Sequence, residues 1–155
     1  MSASLKSLIH EFAKQFDLEA DAAWDSPIEV TIDGVELTLA EYTRSGEDEV
    51  LIYANLGVVP EERELEVYRG LLEANVLWSG TADATIGVNS ATREAIMAYR
   101  LPLERLDGEK LSVMVAHFLA IAELWRDFVV NAGEEDAPLG SGPLSESAPA
   151  DAIRA

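Results

Sequence analysis

Cysteine is absent from the chain. That removes disulfides, thiolate metal sites and cysteine nucleophiles together, and fits a reducing compartment, with the cytoplasm the simplest expectation. Histidine is nearly absent too, with two residues. Basic residues are few, 11 against 29 acidic ones, for a formal net charge of −18. Nucleic-acid binding is disfavoured, because it is driven by cationic groups displacing counterions from phosphates. An anionic membrane surface would repel the same field. No hydrophobic run is long enough to insert into a bilayer. The first apolar residues are interrupted by His10, Glu11, Lys14 and Gln15, so the start of the chain lacks the pattern of a signal peptide. The glycines are scattered, and none opens a phosphate-cradling loop, so no nucleotide or other cofactor is expected. Nor is there an internal repeat that would indicate a solenoid.

What is present is apolar residues, 48% of 155, enough for one respectable core. Leu5, Leu8, Ile9, Phe12 and Phe16 recur at helical spacing, predicting an amphipathic helix over about residues 2 to 17 capped by Ser2 or Ser4. After Pro27, Ile28, Val30 and Ile32 alternate with polar residues, as do Val35, Leu37 and Leu39, with Asp33-Gly34 between them. That is a hairpin, because Asp-Gly tolerates the positive φ angles of a two-residue turn. Ser45-Gly46-Glu47-Asp48 makes the next turn. Residues 50–56 are apolar at nearly every position, the composition of a central strand covered on both faces. A second helix is expected from about Glu61 to Leu77, with Glu61, Glu62 and Glu64 near its positive end. Two short strands follow, Ala84 to Val88 and Ala95 to Leu101, joined by a turn at 89–94 and closed by Pro102. A last helix from Asp107 to Asn131 carries a broad apolar face including Leu111, Val115, Phe118, Trp125 and Phe128. From Gly133 the composition turns to Gly, Pro, Ser, Ala and acid, so the expected division is a folded domain over 1–132 and a disordered acidic tail over 133–155. The order of helix, three strands, helix, two strands, helix is an α+β pattern: a twisted antiparallel sheet packed with helices.

Residues capable of catalysis do not gather. His10 and His117 stand alone on helices, with no second histidine or carboxylate at ligand spacing. Asp33 is explained by its turn, Asp107 by a helix N-cap, and Glu61, Glu62 and Glu64 by the helix dipole. Glu134-Glu135-Asp136 lacks the alternating oxygen ligands and central glycine of a calcium loop. No metal site is expected, and no enzymatic role. The unusual feature is apolar surplus. The second helix carries two stripes, Leu65, Tyr68, Leu72 and Val76 on one and Val67, Leu71, Ala74 and Trp78 on the other, although one suffices for a core.

The run Leu71-Leu72-Glu73-Ala74-Asn75-Val76-Leu77-Trp78 resembles the Tir chaperone (CesT-like) family, the class I type III secretion chaperones. The resemblance continues through Ala84-Thr85-Ile86-Gly87-Val88, Arg100-Leu101-Pro102-Leu103 and Ala122-Glu123-Leu124-Trp125-Arg126, and it spans residues 2–131. Two departures are the connection at Ala82-Asp83, which replaces a more glycine-rich family stretch, and the tail after residue 132. The resemblance implies a homodimer that holds the N-terminal segment of a secreted effector protein in an extended state. It implies dimer contacts from Leu71, Asn75, Trp78, Ile96, Ala98 and Tyr99. Effector contacts are implied for the first helix and first three strands, with Leu5, Leu8, Phe12, Val30, Leu37, Leu39 and Tyr53 as candidates whose outward members the sequence leaves open. A different class of reading is a structural or regulatory adaptor of the same fold that binds a folded partner.

Overall fold

A computed structural model describes residues 5–18 and 27–131. The expected caps Ser2 and Ser4 and the tail 133–155 lie outside the described residues. The chain runs α1 (Leu5–Gln15), β1 (Ile28–Ile32), β2 (Val35–Arg44), β3 (Glu47–Val58), α2 (Glu64–Asn75), β4 (Thr85–Val88), β5 (Glu94–Pro102) and α3 (Gly108–Val130), with short 3-10 turns at Glu61–Arg63, Val76–Trp78 and Leu103–Arg105. The five strands form one antiparallel sheet in the order β1-β2-β3-β5-β4.

Two tight turns set the register of the first three strands. Asp33 and Gly34 have φ of 51° and 77°, and Ser45 and Gly46 have 54° and 84°, the doubly positive pair of a twist-matched hairpin turn. Ile32 therefore pairs with Val35, and Arg44 with Glu47. The second hairpin is longer than alternation predicts: β2 continues through Glu41-Tyr42-Thr43-Arg44 and β3 begins at Glu47. That distal end is exposed on both sides, so it carries no apolar alternation to read.

Helices α1 and α3 pack on each other, and α3 lies across β2 and β3. Beneath them sit Val50, Ile52, Ala54 and Leu56 of β3, Leu37 and Leu39 of β2, and Met97 and Leu101 of β5, all buried. Trp125 is fully buried in α3, with its ring edge against Phe128 and its indole N–H donated to the Gly80 carbonyl at 2.8 Å. Asp107 caps α3 by accepting from the Lys110 N–H at 2.8 Å. The Lys110 hydrogen bonds hold its carboxyl below the usual aspartate range.

Strand β3 is central, as its composition suggests, but the described residues cover only one of its faces. Leu51, Tyr53 and Asn55 on the other face are half-buried. Helix α2 also ends earlier than the apolar pattern, at Asn75. Leu77 and Trp78 then take φ of 52° and 54°, a left-handed conformation that turns their side chains out of the helical stripe.

Candidate functional site

Three surfaces follow from this architecture. The first is the outer edge of β1. In a hairpin with a two-residue turn, the flanking pair Ile32 and Val35 exchange hydrogen bonds, and so do Val30 with Leu37 and Ile28 with Leu39. The backbone groups of Glu29 and Thr31 consequently point away from the sheet. Nothing among the described residues pairs with them. At the opposite edge, β4, the outward-facing groups of Ile86 are occupied. The Asn75 side chain donates from Nδ2 to the Ile86 carbonyl at 2.8 Å and accepts the Ile86 N–H on Oδ1 at 2.9 Å. One edge of the sheet is thus capped at Ile86 by a helix residue, and the other has no partner among the described residues.

The second surface is the face of the sheet turned away from α1 and α3. Register places Leu51, Tyr53 and Asn55 of β3 beside Arg100, Ala98 and Ile96 of β5, with Thr85 and Gly87 of β4 next to them. Trp78 stands at its border. With Leu51, Ala98, Arg100, Asp83, Thr85 and Pro102 it lines an open groove of about 650 Å³. Glu49 lies in the same groove, and its Oε2 is buried without a hydrogen bond, 3.9 Å from the Arg100 guanidinium. A smaller hollow of about 360 Å³ lies toward β1, lined by Glu29, Thr31, Glu36, Thr38, Tyr53 and Asn55.

The third surface is the outer stripe of α2. Leu65 is 74% exposed and Leu72 67%, and the row continues through Val76, Leu77 and Trp78 at 43%, 68% and 52%. The inner stripe, Val67, Leu71 and Ala74, is buried in the core. One of the two stripes therefore satisfies the monomer, and the other faces solvent in a single chain.

Of the residues proposed for effector contact, Leu5, Leu8 and Phe12 fill the interface between α1 and the core, at 1%, 4% and 0% exposure. Leu37 and Leu39 lie beneath the helices. Within this chain these five are core residues, because α1 is consumed by packing against α3. Val30 and Tyr53 keep partial exposure. Among the proposed dimer residues, Leu71 is core and Asn75 is committed to Ile86. Trp78, Ile96 and Ala98 border the open face, whereas Tyr99 pairs with Ile52 and points to the helix side. Burial, and then the nearby Asp83 carboxylate, push the Tyr99 phenol up from its ordinary range. Alternation along β5 could have separated Tyr99 from Ile96 and Ala98, had the pleat been anchored to β3. The polar lining residues Glu29, Glu36, Thr38 and Asn55 carry no apolar signal and escaped the sequence reading.

No group of three or more His, Asp or Glu able to hold a metal occurs among the described residues. No helix there is long and apolar enough to cross a membrane. His10 and His117 are exposed on separate helices. The arrangement offers a free strand edge and apolar surface, which are elements of binding.

The model of the Tir chaperone protein (CesT) family matches residues 7–126. The fold is similar to a chain of the ExsC-ExsE complex, with a TM-score of 0.64 and 21% identity over 83% of this chain and 96% of that one. It is also similar to a chain of the HopA1-SchA chaperone-effector complex, at 0.60 and 19% over 79% and 93%. A third likeness is to the ExoU-SpcU complex from the type III secretion system of Pseudomonas aeruginosa, at 0.60 and 17% over 78% and 97%. No curated protein matches the chain by sequence.

Proposed function

Because the chain belongs to the Tir chaperone protein (CesT) family, a family of type III secretion chaperones, we propose that it binds the N-terminal segment of a secreted effector and keeps it extended. On this reading it is a cytoplasmic homodimer without enzymatic activity. The observation that carries it is the free outer edge of β1, beside an uncovered sheet face, in a chain whose family binds proteins.

An unstructured segment adds main-chain hydrogen bonds at Glu29 and Thr31 and places alternate side chains against Val30 on one face and beside the Glu29 and Thr31 side chains on the other. No covalent step or nucleotide takes part. Ordering such a segment costs roughly 2–5 kcal/mol. Buried apolar area offsets this at about 25 cal/mol per Å², so large apolar anchors on the effector are required. The second copy of the chain takes up the outer stripe of α2 and the groove at Trp78, with Ile96 and Ala98 beside it. A twofold dimer presents two β1 edges, and one long segment engaging both gains from effective concentration.

The test is to purify the full chain with what copurifies, identify the partner by mass spectrometry, and measure hydrogen exchange of that partner free and bound. The expected result is a segment near the partner's N-terminus that exchanges freely alone and is protected in the complex. Protection of an already folded partner surface would instead establish an adaptor.

A further inference from the structure

The chemistry around β1 goes further than the presence of a free edge. Along this strand the two faces differ. Ile28, Val30 and Ile32 lie on the helix-covered side, and Val30 remains half-buried at the middle of the edge. On the open side stand Glu29 and Thr31, with Glu36 and Thr38 of β2 directly across, since Glu29 pairs with Thr38 and Thr31 with Glu36. Glu29 and Glu36 are diagonal neighbours on one face, both exposed, and both line the hollow that reaches Tyr53 and Asn55. Neither forms an ion pair among the described residues.

A strand added to β1 inherits this asymmetry, because side chains alternate between faces whether the new strand runs parallel or antiparallel. Its helix-side residues meet Val30, and its open-side residues lie beside Glu29 on the neighbouring strand, with Glu36 one strand further in, where only a long side chain such as lysine or arginine reaches. We propose, resting on the chaperone reading above, that the segment held at β1 alternates apolar residues with lysine or arginine, the cations lying on the open face against Glu29 and Glu36. Opposite charges on neighbouring strands attract and like charges repel. The two carboxylates thus select a basic-apolar segment and reject an acidic one, in a chain whose net charge of −18 already steers cations toward it.

Fluorescence anisotropy with the full-length chain tests this, using three labelled peptides. One alternates valine and lysine, the second has the same composition with its lysines gathered at one end, and the third alternates valine and glutamate. The alternating lysine peptide should bind tightest, with amide shifts at Glu29 and Thr31 locating it. The double variant Glu29→Gln, Glu36→Gln should weaken it by about two- to five-fold, the range for the one cross-strand charge pair at Glu29, with Glu36 on the next strand contributing less. The double variant Glu62→Gln, Glu123→Gln, which removes the same charge elsewhere, should not. Equal binding of the two lysine peptides, equal losses in the two variants, or no binding of the alternating peptide overturns the inference. A copurifying effector protected near its N-terminus would leave the chaperone reading standing in each of those cases.

Discussion

Asn75 occupies the place of a neighbouring strand at β4, and its amide is the sole cap of the Ile86 backbone among the described residues. Asn75→Ala leaves a buried-edge N–H and C=O without partners, so unfolding in urea should show a loss of about 1–3 kcal/mol. Gly108 opens α3 directly beneath the Glu11 side chain of α1, and a Cβ at that position would overlap Glu11. Helix propensity alone favours alanine there by about 1 kcal/mol, yet Gly108→Ala should lower the melting temperature. The Glu11 Cβ is itself among the atoms overlapped, so adding Glu11→Ala should not restore the melting temperature, and a Gly108→Ala variant as stable as the parent would remove the steric argument. Phe12 is fully buried and its ring lies 4.7 Å from that of Phe16. Phe12→Asp should therefore unfold the domain, seen as loss of helical circular dichroism, because a carboxylate cannot be solvated in that position. A folded Phe12→Asp chain that had merely lost its partner would return α1 to the surface.

Among the elements, α2 carries a contiguous row of apolar residues that the described chain leaves exposed. Its inner stripe is held by the core, and its outer stripe continues into Leu77 and Trp78, both left-handed in backbone. Such a conformation costs of order 1 kcal/mol per residue, and it displays two large side chains at the rim of the open sheet face. Trp78→Glu should reduce the dimer fraction by at least tenfold in equilibrium dissociation, with circular dichroism unchanged, since Trp78 is 52% exposed in the single chain. Sedimentation equilibrium measures this directly. An unchanged dimer would move the self-association surface away from α2. The hairpin end at Arg93 pins α2 from the other side. Its guanidinium meets Glu61 at 2.6 Å and the Val59 carbonyl at 3.0 Å, so the start of α2 is fixed to the β4–β5 turn while its outer stripe stays open.

At the scale of the molecule, the helices α1 and α3 among the described residues lie on one side of the sheet, and the other side carries half-buried Leu51, Tyr53, Ile96 and Ala98. On the proposed homodimer reading, a second copy covers that face. The melting temperature should therefore rise with protein concentration, as binding to the native state alone requires. Scans across a hundredfold concentration range check it, and a constant value would mean the open face is stable in solvent. The charge of −18 opposes association at long range. A contact joining two copies, as proposed, would consequently have to be short-ranged and apolar, as the exposed α2 stripe is.

The element order, the Asp33-Gly34 turn, the Asp107 cap and the apolar face of α3 were all legible in the sequence. Each depends on residues within a few positions of one another, where backbone preference and periodicity act directly. The family resemblance was legible for the same reason, through contiguous runs such as Leu71 to Trp78. The facing of Leu5, Leu8, Phe12, Leu37 and Leu39 was decided only by tertiary structure, because an apolar stripe looks the same whether its cover is α3 or another protein. The free edge at β1 and the capped edge at β4 were likewise invisible. Strand order is set by contacts far apart along the chain, and Asn75 reads as a helix residue until the fold brings Ile86 against it.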